Sequence, residues 1–249
     1  MQKVRLQKIL SQVGLGSRRE MEQWIENGWV TVNGKPAKVG DGAGPKDKIM
    51  VKGKLIKQPS AEETEACRIL LYHKPVGEIS SRRDPHHAKT VFDSLPALKC
   101  GRWIQVGRLD LNTSGLLLFT NDGELANQLM HPKTQIEREY AVRVYGEVTD
   151  QSIRNLLKGV PLEEGLARFK SIKYQGGEGT NSWYHVVLTE GKNREVRRLW
   201  KTQGIDVSRL IRIRYGKLSM PRYLSRGQWC ELSRAEVTQF KNSLPKSVS

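Results

Sequence analysis

The chain has 249 residues, with 42 Lys and Arg against 26 Asp and Glu, a net charge of +16 and a pI near 9.9. A surface this basic attracts polyanions and puts nucleic acid first among candidate partners. No apolar run of about 18 residues and no basic amphipathic anchor is present, so the sequence argues against a membrane. Hydrophobic residues at 37% and a mean hydropathy of −0.55 fit a soluble globular chain, and the length favours two domains. Cys67, Cys100 and Cys230 are few, odd in number and widely spaced, which points to ordinary thiols and away from a disulfide framework or a Cys-based metal site. With no signal-peptide pattern at Met1 to Arg5, a reducing cytoplasm is expected.

In chain order, Leu6, Ile9, Leu10 and Val13 recur at helical spacing and predict a helix over 5–15, stopped by Gly14 to Gly16. Ser17 with Glu20 forms a capping-box pattern for a second helix, whose apolar stripe is Met21, Trp24 and Ile25. Trp29 to Val32 alternates as a strand, Asn33-Gly34 is a hairpin turn, and Ile49 to Val51 is a further strand. Residues 1–60 carry 12 basic and 5 acidic side chains, so this short module holds a disproportionate share of the charge. The Pro-containing acidic stretch around 58–66 reads as a linker, and 242–249 reads as a frayed tail. Between them, Ile69 to Tyr72, Gly115 to Phe119 and Tyr184 to Leu188 are apolar runs interspersed with amphipathic helices, an α+β pattern.

Arg5 to Leu10, Ser17-Arg18-Arg19 and Gly28 to Gly34 together resemble the S4 RNA-binding domain. The resemblance implies that Lys8, Arg18 and Arg19 face RNA phosphates, supplying affinity more than sequence choice.

The most informative stretch runs from Ile104 to Ala126, two strand-like runs flanking a polar turn. Asp110 closes the first run, where a carboxylate can emerge from a strand into a cleft or simply cap a turn. Gly107-Arg108-Leu109-Asp110 with Thr113-Ser114-Gly115-Leu116-Leu117 resembles the catalytic motif of pseudouridine synthases. It is joined in order by Tyr72 to Gly77, Arg138 to Val142 and Gly191 to Leu199. His73 and Arg138 depart from the Asn and Lys frequent in that family. The resemblance implies an S4-like domain at 1–60, a linker at 61–67, a catalytic domain at 68–241 with a mixed, mainly antiparallel sheet, and a flexible tail at 242–249.

The implied reaction breaks the N1–C1′ bond of a uridine, turns the retained uracil, joins C5 to C1′ and removes the C5 proton, an isomerisation that needs no cofactor and no metal. An ionised Asp110 can attack C1′, attack C6 or abstract the C2′ proton. By the same resemblance Tyr140 lies against the base, Arg197 pairs with the Asp110 carboxylate, and Arg108 fills the space left by the flipped nucleotide. Lys74, Arg194 and Arg198 complete the RNA-binding candidates. Ten basic and three acidic residues over 190–222 imply a second phosphate-binding surface. Asp84, His86 and His87 lack the spacing of a metal site, and the resemblance implies that their loop lies near the cleft, in reach of RNA. Trp24, Trp29, Trp103, Trp200 and Trp229 are expected in cores. The expected partner is ribosomal RNA, of the large subunit first, with small-subunit or transfer RNA open, and a monomer suffices. A non-catalytic ribosome-assembly factor is the alternative of a different class.

Overall fold

The computed structural model describes residues 3–58, 66–82 and 89–245. Residues 61–65 of the expected linker and 246–249 of the expected tail fall outside these residues, as do Asp84, His86 and His87. The chain forms two compact units. The first comprises 1–67 and 96–104, the second 68–95 and 105–249.

In the first unit, β1 (Val4–Arg5) leads into α1 (Leu6–Gln12) and α2 (Arg18–Glu26), followed by β2 (Val30–Val32), β3 (Lys35–Pro36), β4 (Gly42–Ala43), β5 (Ile49–Val51) and β6 (Lys54–Ile56). The first helix is shorter than its periodicity predicts. Val4 and Arg5 pair with Ala43 and Gly42, and the chain leaves the helix at Gly14 with φ +90°. Ser17 and Glu20 make the reciprocal capping box at the start of α2. At the Asn33-Gly34 turn φ is positive at both residues (52° and 81°), as a tight hairpin between β2 and β3 demands. Strand order is β3-β2-β5-β6. Leu6, Ile9 and Leu10 from α1, Met21 and Ile25 from α2, and Val30, Ile49 and Val51 from the sheet form one core. Trp24 packs against it, whereas Trp29 is 41% exposed. The sequence reading of Trp29 as core fails because the Lys52 ammonium covers the ring from 3.9 Å, giving it a cationic partner at the surface.

Residues 96–104, expected within the catalytic domain, cluster with this first unit. A Cβ at Gly14 would stand 2.8 Å from the Gly101 carbonyl oxygen, so the backbones meet where neither residue has a side chain.

The second unit carries β7 (Ile69–Lys74), β8 (Ile104–Val106, begun in the first unit), β9 (Ser114–Thr120), α3 (Gly123–Met130), β10 (Arg138–Tyr145), α4 (Asp150–Lys158), β11 (Val160–Leu162), β12 (Gly165–Ala167), β13 (Ser171–Glu178), β14 (Asn181–Leu188), α5 (Glu195–Lys201), β15 (Asp206–Tyr215), β16 (Leu218–Ser219), β17 (Trp229–Glu231) and α6 (Arg234–Asn242). The main sheet runs β13-β14-β10-β15-β9-β7-β17, with β8 on β9 and β16 on β15. It is mixed and mainly antiparallel, as expected. The parallel pair is β9 with β15, where Ser114 faces Ile211 and Gly115 faces Arg212. All seven residues of β9 are buried, which explains its continuous apolar run. Val142, Val144, Val186, Leu188 and Leu210 of the sheet meet Leu156 of α4 and Val196, Leu199 and Trp200 of α5 in the principal core.

Candidate active site

The polar turn between β8 and β9 is fastened by its own backbone. Gly107 takes φ +71°, Leu109 is buried, and the Ser80 hydroxyl donates to the Leu109 carbonyl (2.8 Å) while accepting from its N–H (3.3 Å). Gly77 N–H donates to the Leu111 carbonyl (2.9 Å), and Thr113 N–H to that of Asp110 (3.0 Å). Three cationic side chains supply the remaining donors. Lys74 Nζ reaches the carbonyls of Pro75 (3.0 Å), Asp110 (3.0 Å) and Thr113 (2.9 Å). Arg197 donates to Asn112 (2.9 Å) and Val207 (2.8 Å), and Arg212 Nε donates to Leu116 (2.7 Å). The carbonyls are thus held while the Asp110 carboxylate, partly exposed, takes no hydrogen bond among the described residues. A carboxylate on a fixed backbone with uncommitted oxygens suits attack on carbon or removal of a proton.

Lys74 is fully buried, so the expectation that it binds RNA is corrected: its ammonium is spent on the carbonyls of Pro75, Asp110 and Thr113, out of reach of a phosphate. Burial pulls it down to about 8, against the opposing pull of the Glu78 and Asp110 carboxylates. Arg197 does not form the direct ion pair with Asp110 that the resemblance implies. Its N–H groups go to backbone carbonyls, and Asp110 acts on it through space. Burial first and then the neighbouring Arg194 hold Arg197 below its ordinary value, with Asp110 countering both.

Tyr140 is half-buried on β10, against the principal core, facing Val186 of β14 and Arg212 of β15. A register shift between Glu139 and Tyr140 puts Tyr140, Arg212 and Gly115 in one row across three strands. Arg138 caps the same end, donating to the carbonyls of Thr189 (3.0 Å) and Glu190 (2.9 Å).

Among the RNA-binding candidates, Arg108 is exposed two residues before Asp110, and Arg194 is exposed in a left-handed conformation (φ 48°) capping α5. Arg198 instead forks onto Glu164 (2.8 and 2.6 Å), which its hydrogen bonds hold at about 2. The basic surface expected over 190–222 is correspondingly reduced. Arg212 is buried, Arg214 pairs with Glu139 and Glu137, Lys201 with Asp206 and Lys192 with Glu190, while Arg194, Arg209, Lys217 and Arg222 remain exposed. In the first unit Arg18 and Arg19 are exposed on the first turn of α2, and Lys8 is half-buried on α1.

Residues 68–201 match the model of the RNA pseudouridylate synthases, and residues 4–49 that of the S4 domain. The chain belongs to the pseudouridine synthase family. It is 55% identical over 249 residues to ribosomal large subunit pseudouridine synthase B of Escherichia coli K12, covering 98% of this chain and 85% of that protein. The protein of the same name from Vibrio cholerae is 52% identical over 237 residues, covering 95% and 74%. A crystal structure of a pseudouridylate synthase superimposes with a TM-score of 0.64 at 24% identity, covering 94% of this chain and 98% of the other, which establishes the shared fold. This pseudouridine synthase is therefore an isomerase with an S4 domain ahead of its catalytic fold.

Two members of the candidate site escaped the sequence reading. Ser80 lies 29 residues from the carbonyl it holds, and Arg212 lies 96 residues from its own. No local spacing announces either, although a basic residue inside the otherwise apolar Leu210 to Ile213 run is a signal that Arg212 points inward.

Proposed function

We propose that this pseudouridine synthase isomerises a uridine of large-subunit ribosomal RNA, working in the cytoplasm as a monomer, with Asp110 as the residue that initiates glycosidic-bond cleavage. The observation that carries the reading is the Asp110 turn itself, whose carbonyls are bound by Lys74, Arg197, Thr113 and Gly77 while the carboxylate stays uncommitted. The names of the relatives supply the RNA. In this reading the nucleotide leaves its stack at a cost of a few kcal/mol and Arg108 holds the vacated space. Tyr140 packs on the base, and Arg197 places a positive charge beside the turn that carries the carboxylate. The S4 domain, through Lys8, Arg18 and Arg19, raises the effective concentration of RNA at the catalytic domain, to which Arg194 adds a phosphate contact.

Tritium release from RNA labelled at C5 of uridine tests this, with large- and small-subunit ribosomal RNA offered separately to wild type and Asp110→Asn. Release from the large-subunit RNA alone, abolished by the substitution, is the expected result. Release from the small-subunit RNA moves the substrate and keeps the chemistry. Tight binding without release from either leaves an RNA-binding assembly factor.

A further inference from the structure

Arg212 is 2% exposed, and among the described residues no carboxylate pairs with it. Its Nε donates to the Leu116 carbonyl (2.7 Å), its guanidinium carbon lies 5.1 Å from the centre of the Tyr215 ring, and its buried Nη2 has no hydrogen-bond partner. Burying a guanidinium without a counter-charge is expensive, and an unsatisfied buried donor adds to that cost. A residue chosen for packing alone in this run would be apolar, like Leu210, Ile211 and Ile213 on either side of it. Costs of this kind collect where function requires them.

What Arg212 holds is the start of β9. Its backbone faces Gly115 in the parallel pair, so closely that a Cβ at Gly115 would fall 2.2 Å from the Arg212 carbonyl oxygen. Its side chain then reaches one residue further, to Leu116. The Asp110 turn is anchored upstream at Leu109 by Ser80, in the middle by Lys74 and Arg197, and its downstream end is the first residue of β9. We infer that Arg212 is a positioning residue for the isomerisation, which fixes the downstream anchor of the Asp110 turn through the Leu116 carbonyl. The inference rests on the reading of Asp110 as the acting carboxylate.

A graded pair of substitutions tests it, with kcat, KM and melting temperature measured for each by C5 tritium release and thermal unfolding, and Asp110→Asn run alongside. Arg212→Lys keeps a donor but loses the planar fork, and kcat is expected to fall about tenfold with KM within about twofold. Arg212→Met removes the donor, and kcat is expected to fall on the order of 10²-fold, the usual effect of a small displacement of a reacting group. Its melting temperature should stay close to wild type, because an apolar side chain suits the buried site. Wild-type kcat in Arg212→Lys, or a rise in KM with kcat kept, overturns the proposal. So does a loss of kcat that follows a loss of folded protein, or failure of both variants to fold, since each assigns Arg212 to stability alone. If Asp110→Asn turns over normally, the reading of Asp110 fails instead, and the two failures are thereby distinguished.

Discussion

The two units of this chain use positive charge in opposite ways. In the first, Arg18 and Arg19 stand exposed on the first turn of α2, where the helix dipole disfavours cations, and neither has an ion-pair partner among the described residues. In the second, Lys74, Arg197 and Arg212 are drawn inward onto the carbonyls of the Asp110 turn and of β9, and several of the cations left outside are paired with acids. A charge count treats both alike. What separates them is access: an exposed cation can meet a phosphate directly, whereas a buried one commits its N–H groups to backbone carbonyls and fixes geometry. Substitutions in the first unit should therefore change affinity and its dependence on salt, and those in the second should change turnover.

The largest of these effects is expected at Lys74. Lys74→Met strips the Thr113 carbonyl of its side-chain donor and removes one from Asp110, so kcat should fall on the order of 10²-fold, by the same margin at low and at high salt. Its stability cost carries a pH signature. Because burial lowers Lys74 to about 8 from 10.5, the folded chain releases this proton before the unfolded chain does. Between those values the unfolded chain binds more protons, so the stability contributed by Lys74 is complete above pH 10.5 and declines as pH falls toward 8. Urea unfolding at pH 7.5 and at pH 10 should show the penalty of Lys74→Met growing with pH, by on the order of 2 kcal/mol. A penalty that is constant, or that shrinks, would mean Lys74 is not buried as a cation.

A middle-sized effect belongs to the first unit. Arg18→Ala with Arg19→Ala should weaken RNA binding about tenfold and lower the slope of log K against log salt by about 2, leaving kcat at saturating RNA unchanged. If kcat falls and the slope holds, the division between the units is wrong.

This same division marks what the sequence made legible. Capping residues, the Asn33-Gly34 turn, the apolar runs of β7, β9 and β14 and the segment around Asp110 all act through near neighbours, so they are legible in the sequence itself. The destination of each cation could not, because it depends on partners far along the chain. Lys74 meets carbonyls 36 and 39 residues away, Arg197 meets one 85 away and Arg198 an acid 34 away. For that reason the sequence points Lys74 and Arg198 at RNA, and the fold redirects them to the Asp110 turn and to Glu164. The family resemblance places residues 96–104 in the catalytic domain, whereas in the structure they cluster with the first unit, where Gly101 closely approaches Gly14.

The smallest expected effect separates the paired cations of the second unit from the buried ones. Arg198 lies on α5 one residue after Arg197, yet its guanidinium is closed by the Glu164 fork at the surface. Exposed pairs of this kind contribute little, since water and salt screen them and two long side chains must be ordered to form them. Arg198→Gln is therefore expected to leave kcat within about twofold and the melting temperature within about 2 °C, while Glu164→Gln, which releases Arg198 to meet phosphate, should tighten RNA binding slightly at low salt. Equal weakening by both variants would place the pair itself at the RNA surface, and the boundary between holding geometry and gathering RNA would then run through α5 rather than between the two units.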